Sequence, residues 1–348
     1  MTRKFAMITV FLILALILGM VSCTPKAEPV TPADFYKGKT IDLVVSSSPG
    51  SFDDLSARII ASYLGRDTGA SVIVTDMSGA GGLEGVNYVY RSKPDGLTLG
   101  MTSTTKFVPN KVLVEPAAVY EIDKFSYIMS IGRRQNYFFV SPEGPYQSVA
   151  DLTAGKNLKI GASTPSGTVS LGGLTIIKLL GLDAKVITGI MGESDRALAV
   201  KRGEIIGYVA TISSSRTSID TGMVKPMFVL ATERDPLMPD VPAITELVNL
   251  TGENLELVKL WGTALIASTL FAAPPGTPKD RLEFLRSLAK KWTQDEGFRN
   301  EINHTAGYEI QIRDYITGEE VTKAMLDIAA AMDRFQAISA ELIEKYRA

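Results

Sequence analysis

The stretch IDLVVSSSPGSFDDLSARIIASYLG, residues 41–65, changes its period halfway along. IDLVV is a short β-branched run that reads as a buried strand, and from Leu55 onward apolar residues recur at helical spacing. Between them lies SSSPGSFDD, residues 46–54, a turn of small hydroxyls, a Pro and a Gly. Such a strand-to-helix turn exposes the first helical N–H groups, which have no partner inside the helix and carry the positive end of its dipole, so an anion can sit there. A nucleotide-phosphate loop would end in GK[ST]. Here the acids Asp53 and Asp54 hold those positions, which argues against ATP or GTP, and either acid could cap the helix.

The same strand–helix alternation continues in both directions from this unit. Strands are predicted at 40–45, 71–76, 97–102, 125–132 and 137–141, then in a second series at 158–163, 185–190, 205–211 and 225–232. Helical patterns fall between them at 55–64, 83–91, 169–180 and 194–202. Strand–helix–strand alternation predicts parallel sheets with ligand loops at the carboxyl ends of the strands, and two series predict two α/β lobes. Further on, 260–268 reads as a strand, 273–280 as a turn and helix cap, and 281–301 and 319–345 as long amphipathic helices. A helical tail with almost no new sheet is expected to pack back on the first lobe, so that the chain crosses between lobes near 133–137 and near 266–272. The division that follows is lobe 1 at 37–135 plus 272–348 and lobe 2 at 136–271.

The N-terminus points to export. Arg3 and Lys4 precede an uncharged apolar segment, 5–20, which runs into VSC with Cys23 as the chain's single cysteine. An uncleaved anchor is the alternative, since the segment borders on membrane-spanning length. Small residues before a lone cysteine resemble a bacterial lipobox, with Met20 where that motif usually has Leu, so 1–22 reads as a lipoprotein signal peptide and Cys23 as the lipidated residue. The polar, Pro-rich segment 23–36 reads as a tether. With Cys23 used in this way no intramolecular disulfide can form, and stability must come from burial. A formal net charge of −2 without a basic block disfavours nucleic acid as a partner.

Further loops share the character of the first. SGAGGLEG, 78–85, departs from the dinucleotide fingerprint, which would need glycines at 79, 81 and 84 but meets Glu84. What remains is a dense run, Gly79, Ala80, Gly81 and Gly82, that lets backbone amides approach a ligand closely. Thr102, Ser103, Thr104 and Thr105 end one strand, Ser163, Thr164, Ser166, Gly167 and Thr168 follow another, and Thr211 and Ser213 follow a third. Short hydroxyls and helix-start amides together can clasp an oxygen-rich solute. His304 is the single histidine, so a Ser-His-Asp triad, a Cys-His pair and the usual zinc sites lack parts, and neither enzymatic chemistry nor a cofactor is expected. Lys106, Arg133, Arg134, Arg196 and Arg216 could meet an anion, though such side chains mostly lie on solvated faces.

Together, TIDLVVSSSPGSFDDLSARIIASYL, VIVTDMSGAGGLEGVNYVYRSKPDGLTL, DPLMPDVPAITEL and APPGTPKDRLEFL resemble the tripartite tricarboxylate transporter substrate-binding proteins, also called the Bug family, in order and spacing from about Lys37 to the C-terminus. The resemblance implies a two-lobe periplasmic-binding-protein (Venus flytrap) fold that closes over one small ligand, held by main-chain amides and hydroxyls of both lobes. Carried over by position, the first-lobe loops hold Ser48, Pro49, Gly50, Ser51, Phe52 and Asp53, then Gly79 to Gly82, then Thr102 to Thr105. The second-lobe loops hold Ser163 to Thr168, Gly192, and Thr211 with Ser213. The chain departs from the family with Ser51 in place of a glycine, Leu83 where Asn is usual, and Ala210-Thr211 where Asp-Asn is common. The expectation is a monomeric, lipid-anchored binding protein, facing the periplasm or cell exterior, that delivers a di- or tricarboxylate or similar organic acid to membrane permease subunits. A sensing lipoprotein of the same fold, signalling to a partner receptor, is the alternative.

Overall fold

The computed structural model describes residues 31–346 apart from 133, 134, 166, 266, 308, 309, 312 and 313. The predicted signal segment 1–22, Cys23 and most of the tether therefore lie outside the described residues, as do Arg133, Arg134 and Ser166. Four strands come first, β1 (Thr40–Val45), β2 (Ser71–Asp76), β3 (Thr98–Ser103) and β4 (Ser126–Ile131). Then follow β5 (Tyr137–Val140), β6 (Leu158–Gly161), β7 (Ala184–Ile187), β8 (Gly207–Ala210) and β9 (Lys225–Val229), and after them β10 (Thr269–Ala273) and β11 (Tyr315–Thr317). They form two sheets, ordered β11-β4-β10-β3-β1-β2 and β7-β6-β8-β5-β9.

Both sheets are mixed rather than parallel throughout. β1 runs parallel to β2 and β3, and β6 to β7 and β8, as the alternation predicts. β10 then enters antiparallel between β3 and β4, and β5 lies antiparallel between β8 and β9. The reason is connectivity: β5 and β10 are the strands that follow a passage from one sheet to the other, so no crossover helix sets their direction.

Two element assignments differ from the sequence expectation. The predicted strand at 260–268 is mostly the end of a helix, Gly252–Leu265, and the strand is β10 behind it. Leu257, Val258 and Trp261 are buried at the i, i+1, i+4 spacing of a helix face, a period that a window opening at residue 260 cuts off. β10 is a short run, TLFAA, buried at every position in mid-sheet, so it shows no alternation. The long C-terminal helices are each broken in two. Lys279–Gln294 gives way to Glu296–Ala306 because the Asp295 carboxylate accepts the Phe298 N–H at 3.1 Å and starts a new helix, and Gly318–Ala330 is separated from Met332–Tyr346 by Ala331.

Burial explains why the strands read as apolar runs. On one face of the first sheet, Ile41, Leu43 and Val45 pack with Ile60 and Leu64 of helix Phe52–Thr68 and with Leu285 and Trp292 of helix Lys279–Gln294. Full burial of such side chains stabilises by roughly 1.5–3 kcal/mol each. On the other face, one cluster continues from Val44 and Phe107 through Trp261 and Phe335 to Leu171 and Leu174, joining the two sheets. Helix Met332–Tyr346 packs on helix Thr168–Leu180, and the Trp261 indole N–H donates to Thr175 Oγ1 at 2.9 Å.

Asp67 provides a test of this packing. Its carboxylate accepts from Arg66 Nε at 2.8 Å and from the buried Trp292 indole at 2.9 Å, with Lys291 Nζ at 3.3 Å. The Arg66 bond, followed by those from Trp292 and Lys291, outweighs partial burial and holds the carboxyl down at about 2. A depressed acid contributes stability above its unfolded-state pKa, ordinarily near 3.9, and loses it as pH falls through the folded value. Asp67→Asn is thus expected to melt below the wild type at pH 6, with the gap closing between pH 4 and pH 2. Thermal melts of both proteins across that range check this.

Candidate functional site

In the first sheet the chain leaves β1 for β2 on one side and reaches β3 on the other, and in the second it leaves β6 for β7 and reaches β8. Each sheet therefore has a topological switch point, between β1 and β3 and between β6 and β8. The crevice outside the carboxyl ends of such strands is where open α/β sheets bind ligands. The predicted loops fall there, after β1, β2 and β3 in one sheet and after β6, β7 and β8 in the other. Thr104 and Thr168, the first residues of two helices, line the same small internal space with Trp261 and Phe335, so helix starts from the two sheets meet.

The first loop is built in two layers. Ser48, Pro49 and Gly50 are exposed, whereas Ser46 and Ser47 beneath them are buried. Ser46 Oγ donates to Thr102 Oγ1 at 2.6 Å, which ties this loop to the end of β3. The helix cap is Ser51, whose Oγ accepts the Asp54 N–H at 3.3 Å, and not Asp53 or Asp54. Ser51 is the last residue with extended φ and ψ before the helix opens at Phe52, so its side chain is the one placed to reach the third helical amide. Asp54 turns back instead, accepting the Gly50 N–H at 2.7 Å and pairing with Arg58 Nε at 2.8 Å. Asp53, 4% exposed, accepts from Ser47 Oγ at 2.5 Å and from Thr269 Oγ1 at 2.6 Å. The two neighbouring acids thus point apart, each with its charge committed. Phe52 is half-buried against the core beside them.

Not every predicted hydroxyl faces the crevice. Thr102 is half-buried, but Ser103 and Thr104 are buried, and Thr104 Oγ1 donates to the Ala267 carbonyl at 2.5 Å. Asp53, Ser103 and Thr104 sit behind the loops and support them. Thr105 follows in the first turn of helix Thr104–Val112.

The glycine loop forms a short 3₁₀ turn, Gly79–Gly82, in which Ala80, Gly81 and Gly82 all have positive φ, 51°, 68° and 97°. A Cβ on Gly82 would lie 2.4 Å from the Ser46 carbonyl oxygen, while one on Gly81 would meet open space. Gly82 is therefore required by the close approach of two loops to each other, and Gly81 faces outward. Gly85, which the sequence reading passed over, has the same reason: its Cβ would lie 2.8 Å from the Met77 carbonyl.

In the second sheet Thr164 is exposed, Ser163 and Thr168 are half-buried, and Gly167 has φ +125°. Gly192 opens the helix Glu193–Lys201, its N–H donating to Asp195 Oδ2 at 3.1 Å. Thr211 caps the helix Ile212–Asp220 through the Ser214 N–H at 3.3 Å, and its hydroxyl lies 3.1 Å from Ser213 Oγ. Arg196 departs from the expectation of a solvated face. It is 6% exposed, donates through Nη1 to the Ile190 and Met191 carbonyls at 2.9 and 3.0 Å, and lies 5.5 Å from the Tyr208 ring centroid. Burial lowers its pKa, yet no carboxylate pairs with it among the described residues. A positive charge is thereby lodged directly beneath the loop that follows β7. The signal in the sequence was its position on the helix face of Ala197 and Val200, which are also buried.

Among the described residues no three His, Cys, Asp or Glu side chains gather as a metal site, and His304 is exposed in the last turn of helix Glu296–Ala306. What the arrangement offers is hydroxyls, exposed loop backbone and one buried cation around a crevice, suited to holding an oxyanion.

Gly82 and Gly81 give the site its structural test. Gly82→Ala adds a backbone clash to left-handed strain and is expected to cost more than about 3 kcal/mol, while Gly81→Ala carries strain alone, about 1–2 kcal/mol. Urea unfolding of the two variants checks the order.

The profile of the "tripartite tricarboxylate transporter family receptor" matches residues 56–316 of this chain. A UPF0065 protein of Bordetella pertussis is 28% identical over 285 residues, covering 80% of this chain and 83% of its own. A TctC solute-binding protein from Polaromonas superposes with a TM-score of 0.68 at 20% identity, covering 89% of this chain and 99% of that one. An adipate-bound protein of R. palustris superposes at 0.63 with 19% identity, covering 89% and 99%. The malate-bound MatC of Rhodopseudomonas palustris does so at 0.59 with 20% identity, covering 88% and 99%. With two mixed α/β sheets, each with a switch point, and a family profile spanning most of its length, the chain belongs to the tripartite tricarboxylate transporter receptor family, whose members are solute-binding proteins and not enzymes.

Proposed function

We propose that this protein captures a small carboxylate, a di- or tricarboxylate or similar organic acid, between its two lobes and delivers it to permease subunits of a tripartite tricarboxylate-type transporter. The observation that carries this reading is the pair of facing switch points, lined with hydroxyls, exposed loop backbone and the buried Arg196 charge, with the nearby acids Asp53 and Asp54 already committed. Malate and adipate in two structural neighbours support the ligand class. In this reading lobe 1 comprises 37–135 and the C-terminal part, lobe 2 the segment between, and the return crossing precedes Thr269, where β10 joins the first sheet. The protein is exported as a monomer and held at the membrane by lipid on Cys23, and no helix of the described residues is long and apolar enough to cross a membrane.

Ligand carried through native purification and identified by mass spectrometry is expected to be a carboxylate. Re-adding it at 100 times its Kd should stabilise the fold by about 2.7 kcal/mol, and Gly81→Val, which projects a branched side chain into the open space above the loop, should fold and lose that response. A screen in which polyamines or neutral sugars alone stabilise the protein would overturn the reading. Separately, Cys23→Ser should move the protein from the membrane fraction to the soluble fraction of its native cell.

A further inference from the structure

A pocket of about 260 Å³ opens between the two sheets, beside the first crossing. Tyr137 of β5 and Asp235, from the segment after β9, stand at one end, and Thr211, Ser213 and Arg216 line it from helix Ile212–Asp220 and its cap. Ala306 and Gly307, from the end of helix Glu296–Ala306, close it from the first sheet's side.

The polar groups of this pocket are sorted by type. Asp235, 9% exposed, accepts from the Tyr137 hydroxyl at 2.6 Å and from the Leu237 N–H at 2.9 Å. Both donors are neutral, and no cation pairs with the carboxylate among the described residues. Each of its oxygens keeps acceptor capacity for one more bond. Burial, reinforced by the Asp235 charge, raises the Tyr137 pKa, so the phenol stays a donor to the acid. The Gln135 side-chain carbonyl oxygen, which also lines the pocket, is buried without a partner. Among the described lining residues Arg216 supplies the only charge of opposite sign, alongside the Thr211 and Ser213 hydroxyls, and its exposed guanidinium is shared with Asp220 at 3.1 Å.

One end is therefore acceptor-rich, with a buried carboxylate that no described cation pairs, and the other offers a cation and hydroxyls. A second carboxylate placed against Asp235 would meet like charge in a desolvated site, which is unfavourable to both ionised forms. An ammonium there would complete a charge-assisted hydrogen bond. We propose that this pocket takes a protonated amine at Asp235 and a carboxylate at Arg216 with Thr211 and Ser213, so that the ligand is an amino-substituted carboxylate on a small apolar body and not a simple diacid. The inference rests on the reading of the chain as a carboxylate receptor and places that carboxylate at Thr211 and Ser213, the two candidate site residues that also line this pocket.

Calorimetric titration with matched pairs tests it, succinate against 4-aminobutyrate and adipate against 6-aminohexanoate, with leucine for the α-amino arrangement. At least one amino compound is expected to bind about tenfold or more tighter than the diacids, and Asp235→Asn, which keeps an acceptor for Tyr137, should weaken it by about tenfold or more. Tyr137→Phe removes the internal hydrogen bond but leaves the carboxylate, and should change that affinity by less than about threefold. If Asp235 serves only to hold Tyr137, the two variants will weaken binding equally, and that result overturns the proposal. Binding of the diacids alone overturns it too while leaving the carboxylate reading intact, as does a co-purified carboxylate that carries no amine. A co-purified ligand with no carboxylate overturns both.

Discussion

Three consecutive residues, Ala267 to Thr269, hold the crevice together. Thr269 Oγ1 donates to Asp53 at 2.6 Å, fixing the base of the loop after β1. The Ser268 carbonyl accepts the Thr104 N–H at 3.0 Å and the Ala267 carbonyl accepts its hydroxyl, fixing the helix start after β3. The Ser268 N–H donates to the Gly132 carbonyl at 3.0 Å, which joins the return crossing to the outward one. All of these groups are buried, and hydrogen bonds removed from water are both stronger and costlier to leave unmade. Loop shape and the relation of the sheets thus share one set of bonds.

The second organising feature is the disposal of negative charge. Acids next to an oxyanion site would repel the ligand, and this chain places Asp53 and Asp54 in the first turn of a helix at the crevice. Asp53 is enclosed by two hydroxyl donors, and Asp54 is offset by Arg58 and by the Gly50 amide, so both charges are spent on the loop's own structure. Across the crevice Arg196 does the reverse, bringing a positive charge into the interior where carbonyl oxygens solvate it in place of a carboxylate. Neither arrangement requires the ligand to touch a charged side chain of these loops, because fields act through a poorly screening interior.

The amino-acid sequence by itself determined the alternation of strands and helices, the two series, and the glycine and hydroxyl loops at strand ends, because periodicity and turn chemistry are local properties. It also carried the family pattern, which the profile match bears out over residues 56–316. It did not determine β10 or the helix before it, since a strand buried at every position loses its alternation and a helix cut in mid-run loses its period. Tertiary structure alone decided which member of each hydroxyl run stays accessible: Thr102 is half-buried while Ser103 and Thr104 are buried, Thr104 held by the carbonyls of a segment more than 160 residues away. The same holds for Gly82, required by Ser46, for Arg196, solvated by Ile190 and Met191, and for Asp235, which meets Tyr137 across 98 positions. Such roles are set by distance in space, which residue type and sequence spacing do not encode.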